Sequence, residues 1–453
     1  MMRPRIALLS CGEAVYPEAW LLQRIAEIRD GLAAREVEIA VSATVLDEPD
    51  VEPTRAFLRG RDLDLVVVHF VSWHITSYLV PILQEIPGVP VLAWATSGLI
   101  DPSGKLHAPA APAALTALLP MLREMGVRYK AIAETPGQPH RFDEALGFAR
   151  AGATARRLRR SRIGLVGYAD MGLYTCAYDR TALAARIGID VEDHFSYEIG
   201  QRMEQAESER VEEAVRSIRE RIDFENDVPA EVLDRVARLY LVLADKSSER
   251  RLDGISIKCV QGVTRYMGVN PCVAQSLLAG PDLSVICECD AHGLVTNVMM
   301  SLLTGQTTTF MEHYEFFDRE VLVGTCGFLP IGLSEGRPTA RATNLGDFFK
   351  GMGMTSRLKE GPVTVARLFR NGEGYGMFLG RAQARRPGKW IELGWEEPTP
   401  DFPSLTLDVG SPVQDYLERV PGQHVILAHG DHVGSMRDLC GLLGLEVHPW
   451  RPA

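Results

Sequence analysis

The first part of the chain repeats one pattern, in which a short, continuous apolar run precedes a longer segment with helical apolar spacing. The apolar runs are RIALLS, VEIAVSATVL, DLVVVHF and VPVLAWA, and the helical segments lie at 17–34, 76–86 and 112–126. Strands without polar alternation are buried on both faces, as in a parallel sheet covered by helices on both sides. The pattern predicts a Rossmann-like α/β layer. It contains no GxGxxG, so it carries no dinucleotide fingerprint.

A second α/β pattern follows a basic helix end. The helix predicted at 142–160 ends in RRLRR, which suits a solvated helix C-terminus near a domain boundary. Beyond it, the strand candidates are RIGLVGY, LDGISIKC and LSVICECD, and the helix candidates lie at 230–250, 271–279 and 293–305. The alternation predicts a second parallel sheet with helices.

From about residue 330 the chain becomes rich in strand signals. VTVARLF and YGMFLGRAQ flank Asn371-Gly372-Glu373-Gly374, which is a hairpin signal. Further strand candidates are KWIELGW (389–395), SLTLDVG, HVILAHG and LEVHPW, with a helix at 433–443. The fold class that we predict is α/β, with two Rossmann-like α/β domains (1–160 and 161–325) followed by a mostly antiparallel β domain (326–453).

Composition excludes several classes of function. The chain has 453 residues, of which 46% are hydrophobic and 24% charged, as in ordinary globular proteins. The net charge of −11, with both signs scattered, argues against a nucleic-acid partner, which needs a basic stripe. No apolar run approaches the roughly 20 residues of a membrane span, and no secretory signal is apparent. We therefore expect no membrane association and a cytoplasmic location.

The eight cysteines include no CxxC pair, so we expect free, buried thiols rather than a structural zinc site.

Carboxylates end the apolar strand candidate LSVICECD. Ligands of open α/β sheets bind beyond the carboxyl ends of strands, so Glu288 and Asp290 stand where a site is expected. If the strand continues through both, alternation puts them on one side, with Cys289 opposite. The alternative is an acidic first turn of the following helix, which the helix dipole favours.

A second carboxylate interrupts the strand candidate TTTFMEHYEF. Glu312 stands among β-branched and aromatic neighbours, where a buried carboxylate needs a partner or a metal ion. A salt bridge at a sheet edge or an interface is the alternative.

Three histidines, His424, His429 and His432, lie in the late segment GQHVILAHGDHVG. A lone histidine beside an apolar strand is usually a core or surface residue. Two glutamates and one histidine nevertheless form a suitable site for a hard divalent cation such as Mn²⁺. Spacing along the chain does not establish that 288, 312 and 424 meet.

Three segments resemble the L-fucose isomerase and L-arabinose isomerase superfamily. The first runs from Glu288 through Thr304-Gly305 to Glu312, with FMEHY similar to the arabinose isomerase version. The second is GQHVILAHGDHVGSMRDL, in which His424 matches the metal-binding histidine. The third, weaker one is FARAGATARRLRRSRIGLVGYADMG, similar to the junction of the first two α/β domains.

The resemblance implies a metal site and a proton-transfer pair. Glu288, Glu312 and His424 would bind Mn²⁺ or another divalent cation, and Glu288 and Glu312 would also act as acid and base. The implied or plausible sugar contacts are Met171, Gln423, Lys258, Gln261 and Trp73, the last supplied by a neighbouring subunit. For Lys258 and Gln261 the alternatives are a surface lysine and a loop amide. A homo-oligomer, trimeric or hexameric, is also implied.

One departure concerns the segment GTCG (324–327). Relatives often carry a histidine near it, whereas the candidates here are Thr325 and Cys326.

The predicted function is metal-dependent interconversion of an aldose and a ketose through an ene-diol, on a monosaccharide substrate. The alternatives are another metal-dependent sugar enzyme, such as an epimerase, and a non-catalytic sugar-binding protein. The identity of the sugar, of the metal and of the residue that replaces the histidine stays open.

Overall fold

The computed structural model describes residues 2–346, 348–388 and 402–451, and the chain falls into two compact units. The N-terminal unit comprises Met2–Arg157 and Gly434–Gly444. The second unit comprises Leu158–Val433 and residues 445–451. The predicted strand KWIELGW lies outside the described residues, and the predicted division into three domains stays a prediction.

Seven strands and five helices belong to the first 158 residues. The strands are β1 (Arg5–Cys11), β2 (Glu38–Val41), β3 (Leu65–Phe70), β4 (Val91–Ala95), β5 (Leu99–Ile100), β6 (Leu106–His107) and β7 (Tyr129–Ala133). The helices are α1 (Glu18–Ala33), α2 (Val51–Leu58), α3 (Leu79–Leu83), α4 (Ala111–Glu124) and α5 (Phe142–Leu158). Five strands form a parallel sheet of spatial order β2-β1-β3-β4-β7, and β5 and β6 pair as a short antiparallel ribbon.

Both faces of this sheet are covered. Val66 and Val68 of β3 pack into a core with α2, α3 and α4, whereas Leu65 and Val67 pack into a second core with α1 and α5. The predicted parallel sheet with helices on both sides is confirmed for this unit. Strand β7 was not predicted, because it lies at the sheet edge and only Ile132 of its five residues is buried.

The second unit begins with another parallel sheet. The strands of this sheet are β8 (Arg162–Val166), β9 (Asp190–His194), β11 (Gly254–Ile257) and β12 (Ser284–Cys287). The short strand β10 (Asp223–Phe224) lies between β9 and β11 along the chain. The helices are α6 (Arg180–Arg186), α7 (Ser196–Gln205), α8 (Ser208–Arg221), α9 (Ala230–Arg250), α10 (Arg265–Met267), α11 (Cys272–Leu278) and α12 (Ala291–Thr304). Four strands pair in the order β12-β11-β8-β9, so the segments after β8, β11 and β12 leave the sheet at one edge.

The remaining strands build a closed barrel and a small sheet. They are β13 (Thr309–Phe316), β14 (Glu320–Gly324), β15 (Thr339–Asn344), β16 (Lys350–Met354), β17 (Gly361–Asn371), β18 (Gly374–Arg385), β19 (Ser404–Asp408), β20 (His424–His429) and β21 (Glu446–His448). The helices are α13 (Val413–Leu417) and α14 (Val433–Leu443). Antiparallel pairs close the ring β17-β20-β13-β14-β19-β18, and β21 adds parallel to β18. Strands β10, β15 and β16 form a separate three-stranded sheet.

The hairpin prediction is confirmed, since β17 and β18 are joined at Asn371 and Gly374. Two of the barrel strands precede residue 326, the predicted start of the β-rich domain. Strands β13 and β14, which precede residue 325, pair with later barrel strands. Their apolar and polar residues do not reveal which sheet they join, because strand pairing is a non-local property.

Short helical turns connect several of these elements. The 3₁₀ turns are Glu48–Asp50, Thr76–Tyr78, Asp170–Gly172, Tyr174–Cys176 and Ile331–Leu333, and a π-helical turn spans Cys259–Thr264.

All eight cysteines are described and are free thiols, seven of them buried and Cys326 partly so, as predicted. Within the described residues, every helix falls short of the length and apolar character that crossing a bilayer requires.

Candidate active site

The end of β12 differs from the sequence prediction. The strand stops at Cys287, and Glu288 and Cys289 follow in the left-handed region, with φ of 67° and 53°. The expected alternation of Glu288 and Asp290 along one strand is therefore wrong. Two consecutive non-glycine residues in this region are uncommon and cost of order 1–3 kcal/mol each. The turn is held by Glu288 N–H donating to Ile257 O (3.0 Å) and by Asp170 N–H donating to Glu288 O (3.2 Å).

Asp290 begins helix α12. Its Oδ1 accepts a hydrogen bond from Gly293 N–H at 3.0 Å, so the alternative prediction of an acidic helix start is confirmed. The same side chain is fully buried and has a second set of partners. Its Oδ2 contacts His424 Nδ1 at 2.8 Å and the Arg367 guanidinium. Asp290 is thus both a helix cap and part of a buried polar cluster.

Glu312 and His424 are brought together by strand pairing. They are direct partners across the antiparallel pair of β13 and β20. Side chains of directly opposed residues project from the same face of a sheet, about 5 Å apart. The barrel therefore holds one carboxylate beside the imidazole, and the end of β12 supplies the other.

Glu288, Glu312 and His424 converge. One ligand atom from each lies within 4.8 Å of the other two. Glu288 is 3% exposed and His424 is fully buried, whereas Glu312 is partly exposed. The three predicted ligands therefore meet at one point, with one carboxylate accessible to a small molecule. Their roles in catalysis and metal binding stay predictions.

Two buried atoms at this point have no hydrogen-bond partner among the described residues. They are Glu288 Oε2 and His424 Nε2, which lie 3.1 Å apart but outside hydrogen-bond geometry. An unsatisfied buried carboxylate oxygen facing an imidazole nitrogen and a second carboxylate is costly without a cation. Oxygen and imidazole donors also suit Mn²⁺. The donor set fits a divalent cation.

Electrostatics at the cluster reflect two crowded carboxylates. Burial, followed by the nearby charge of Glu288, raises the pKa of Glu312 to about 7. Burial would lower the pKa of His424, but its contacts with Asp290, Cys176 and Glu288 outweigh burial and raise that pKa well above the usual value. A bound cation would oppose both effects, because it favours carboxylate and neutral imidazole.

A second group surrounds the other side of the imidazole. Cys176, Asp290 and His424 also offer ligand atoms within 4.8 Å of one another. Burial would raise the pKa of Asp290, but the Arg367 charge and the His424 hydrogen bond hold it well below its usual range. Arg367 is 1% exposed and donates from Nη2 to Thr175 O at 3.1 Å.

The predicted sugar contacts are placed as follows. Met171 is left-handed (φ 46°) in the turn after β8, next to Asp170. Lys258 Nζ donates to Ala169 O (3.3 Å), and the exposed Gln261 donates from its backbone N–H to Asp170 (3.0 Å). Gln423 Oε1 accepts from Thr175 Oγ1 at 2.7 Å.

These side chains flank the segments that carry Glu288 and His424. Trp73 belongs to the N-terminal unit, where it is 41% exposed and its backbone N–H donates to Pro109 O. None of the five contacts with sugar is tested by this geometry, and each stays a prediction.

The segment GTCG supplies no further ligand to the described cluster. The Thr325 hydroxyl donates a hydrogen bond to Phe328 O at 2.5 Å, and Cys326 contacts Cys272. Cys326 does not belong to the described groups of His, Cys, Asp and Glu whose ligand atoms lie within 4.8 Å. Among the described residues, the candidate metal site therefore has three protein ligands, Glu288, Glu312 and His424.

Sequence reasoning missed Arg367 and Cys176. Arg367 stands in the middle of the apolar run VTVARLF, and a fully buried arginine requires an acidic partner. That signal was available, although the partner's identity was not. Cys176 carried no distinguishing signal, because its neighbours resemble those of any loop.

Comparison with known proteins finds sugar isomerases that are similar to this chain at low identity. No family model matches the chain. A sulfoquinovose isomerase of Alkalicoccus urumqiensis is 23% identical over 302 residues, which are 65% of this chain and 66% of that protein. Sulfoquinovose isomerases of Priestia aryabhattai and Priestia megaterium are each 21% identical over 414 residues, 88% of this chain and of each relative.

The chain is a distant relative of sugar isomerases. It spans just under two thirds of the first relative and most of the other two. These relatives support the prediction of an enzyme of the aldose–ketose isomerase type. The finer assignment to the L-fucose and L-arabinose isomerases stays a prediction.

Proposed function

We propose that the chain interconverts an aldose and a ketose, and that Glu288, Glu312 and His424 hold a divalent cation, such as Mn²⁺, for this reaction. The observation that carries the proposal is the convergence of these ligand atoms within 4.8 Å, two of them buried without a hydrogen-bond partner. The relatedness to sulfoquinovose isomerases supports the reaction type.

Glu288 and Glu312 would act as the acid–base pair of the proton transfer. When bound, the cation supplies polarisation of the sugar carbonyl and lowers the pKa of the neighbouring hydroxyl. A carboxylate removes the proton from C2 while the carbonyl oxygen on C1 gains a proton, which gives an ene-diol. The protonated carboxyl group then returns a proton to C1 as the hydroxyl on C2 loses its own. Glu312 is the partly exposed member of the pair and so is the one open to the substrate, while buried Glu288 faces His424.

Metal removal tests the proposal directly. Purified chain treated with EDTA is expected to lose isomerisation, and added Mn²⁺ is expected to restore it, because the cation would supply the polarisation of the sugar carbonyl. The assay is product identification by NMR in D₂O across pentoses, hexoses, 6-deoxyhexoses and sulfoquinovose. Deuterium at C1 or C2 of an aldose–ketose pair supports isomerisation.

Two results would count against this proposal. Inversion at a carbon without a change of carbonyl position would identify an epimerase on the same site. Full activity after EDTA treatment, with no metal detected in the protein, would remove the cation from the mechanism.

We further propose that the substrate carries an anionic group, as sulfoquinovose does with its sulfonate. Lys258 is the candidate partner of that group. Its stem is confined by Gly167 and Gly262, where an added Cβ would come within 2.9 Å and 3.0 Å of the lysine side chain. Its Nζ donates to Ala169 O and forms no ion pair within the described residues. A half-buried ammonium without a carboxylate partner, beside the segment that holds Glu288, suits an anionic sugar.

The variant Lys258→Met is expected to lower kcat/KM for sulfoquinovose by about 10- to 100-fold, the loss of one hydrogen bond to a charged group. Neutral hexoses should lose much less. Lys359→Met is the matched control, because Lys359 also donates to a backbone carbonyl, that of Gly332, but is exposed on another part of the unit. Equal losses for charged and neutral sugars would contradict a role for Lys258 in anion binding.

The finer predictions of fold and assembly remain proposals. We infer that both parallel sheets are Rossmann-like, and the order β2-β1-β3-β4-β7 supports this for the N-terminal unit. We infer a cytoplasmic homo-oligomer, trimeric or hexameric, in which exposed Trp73 reaches the sugar of a neighbouring subunit. The family resemblance and the 41% exposure of Trp73 support this arrangement.

A further inference from the structure

His424 stands between two candidate ligand groups, one on each ring nitrogen. Nε2 lies 3.1 Å from Glu288 Oε2, and Glu288 belongs to the group that contains Glu312. Nδ1 lies 2.8 Å from Asp290 Oδ2, and Asp290 belongs to the group that contains Cys176. A cation could in principle bind either group. The surroundings of Asp290 distinguish the two sides.

Arg367 closes the Asp290 side to a cation. Its guanidinium contacts Asp290 Oδ2 directly, and both side chains are almost fully buried. A divalent ion placed on Asp290 and Cys176 would face that positive charge in a poorly screened environment. The opposite side contains two carboxylates and no described basic side chain in ion-pair contact other than His424 itself.

Both oxygens of Asp290 are already in use as acceptors. Oδ1 accepts from Gly293 N–H, and Oδ2 accepts from Arg367 and faces His424 Nδ1. An ionised carboxylate can only accept, so the imidazole must carry its proton on Nδ1 at this contact. The lone pair of a neutral ring is then on Nε2, which faces the two glutamates.

Gly293 leaves the room that this arrangement needs. A Cβ at residue 293 would lie 2.8 Å from Asp290 Oδ2 and 2.9 Å from Arg367 Nη1. Gly293, Arg367 and Asp290 therefore pack closely together on the Nδ1 side of the imidazole. Carboxylates in this position orient metal-binding histidines and raise their affinity for the ion.

We propose that Asp290, held by Arg367, is the positioning residue that directs His424 Nε2 toward Glu288 and Glu312, so that the cation binds on the glutamate side only; this inference rests on the proposed function. Cys176 then contacts the histidine without binding the metal.

The test compares Mn²⁺ affinity in Asp290→Asn and Cys176→Ala, measured by calorimetry on metal-free protein. Asp290→Asn is expected to bind Mn²⁺ about 10- to 100-fold more weakly than the unmodified chain, as for other carboxylate partners of ligand histidines. Cys176→Ala is expected to bind it normally. Equal affinity in Asp290→Asn and the unmodified chain, or a large loss in Cys176→Ala, would overturn the inference.

A second measurement is independent of metal. In metal-free, ¹⁵N-histidine-labelled protein, the proton on His424 Nδ1 is expected to exchange slowly with water and to lose this protection in Asp290→Asn. If Asp290→Asn does not fold, Gly293→Ala serves instead, since it keeps every side chain of the cluster and displaces Asp290. Unchanged protection and affinity in the variant would contradict positioning. If the unmodified chain binds no Mn²⁺, the proposed function fails, and the proton alone then decides whether Asp290 orients the ring.

Discussion

A chain with Gln in place of Glu312 is expected to fold normally and to turn over sugar about 10²- to 10⁴-fold more slowly, the range typical of lost acid–base catalysis. The substitution keeps the size of the side chain but removes its charge and its ability to carry the proton. It also replaces an anionic metal ligand with a neutral amide oxygen, so the Mn²⁺ affinity should fall with kcat. Circular dichroism checks the fold, and steady-state assays over a range of Mn²⁺ concentrations measure both kcat and the apparent Mn²⁺ affinity.

Glu315→Gln is the matched control. Glu315 lies three residues further along β13, is exposed, and accepts a hydrogen bond only from Phe316 N–H among its described contacts. Its variant should retain wild-type turnover. Glu288→Gln should behave like Glu312→Gln, since the two carboxylates share the site. Near-normal turnover by both purified site variants would rule out the mechanism.

Arg367→Met is expected to destabilise the second unit by about 3–5 kcal/mol, the cost of leaving one member of a buried ion pair alone. The substitution preserves much of the side-chain volume but leaves Asp290, which is fully buried, without its guanidinium partner. Hydrogen exchange of amides in β17 and α12, measured by mass spectrometry with increasing urea, reports the opening free energy of this region.

Two variants calibrate that result. Arg381→Met breaks the Arg381–Asp431 pair on the neighbouring strand β18, where the side chains are 66% and 52% exposed, and should cost at most about 1 kcal/mol. The double variant Asp290→Asn/Arg367→Met should recover part of the loss, because no isolated buried charge remains. A loss in Arg367→Met no larger than that in Arg381→Met would show that the buried pair contributes little to stability.

Local patterns anticipated most elements of the fold. Helices at 230–250 and 433–443 match Ala230–Arg250 and Val433–Leu443, because apolar periodicity and helix ends are short-range signals. The hairpin at Asn371–Gly374 was equally accessible. The edge strand Tyr129–Ala133 and the membership of β13 and β14 in the barrel were not, because partners distant in sequence determine both.

The candidate ligands could be named from sequence, but their surroundings could not. A carboxylate in an apolar strand and a carboxylate at a strand end are visible as exceptions to burial, and the family resemblance added His424. The left-handed backbone of Glu288 and Cys289 was not anticipated, since neither residue type favours it and only the contacts with Ile257 and Asp170 hold it in place.

Residue types and short spacings thus predicted an α/β chain with a β-rich C-terminal part and two unusual carboxylates, and the family resemblance singled out His424. Only the tertiary structure placed Glu312 opposite His424 across β13 and β20 and brought the end of β12 to the same point. It alone revealed that Asp290 and Arg367 occupy one side of the imidazole. The physical reason is that strand register and buried ion pairs depend on contacts between segments far apart in the chain, whereas periodicity and capping depend on neighbours.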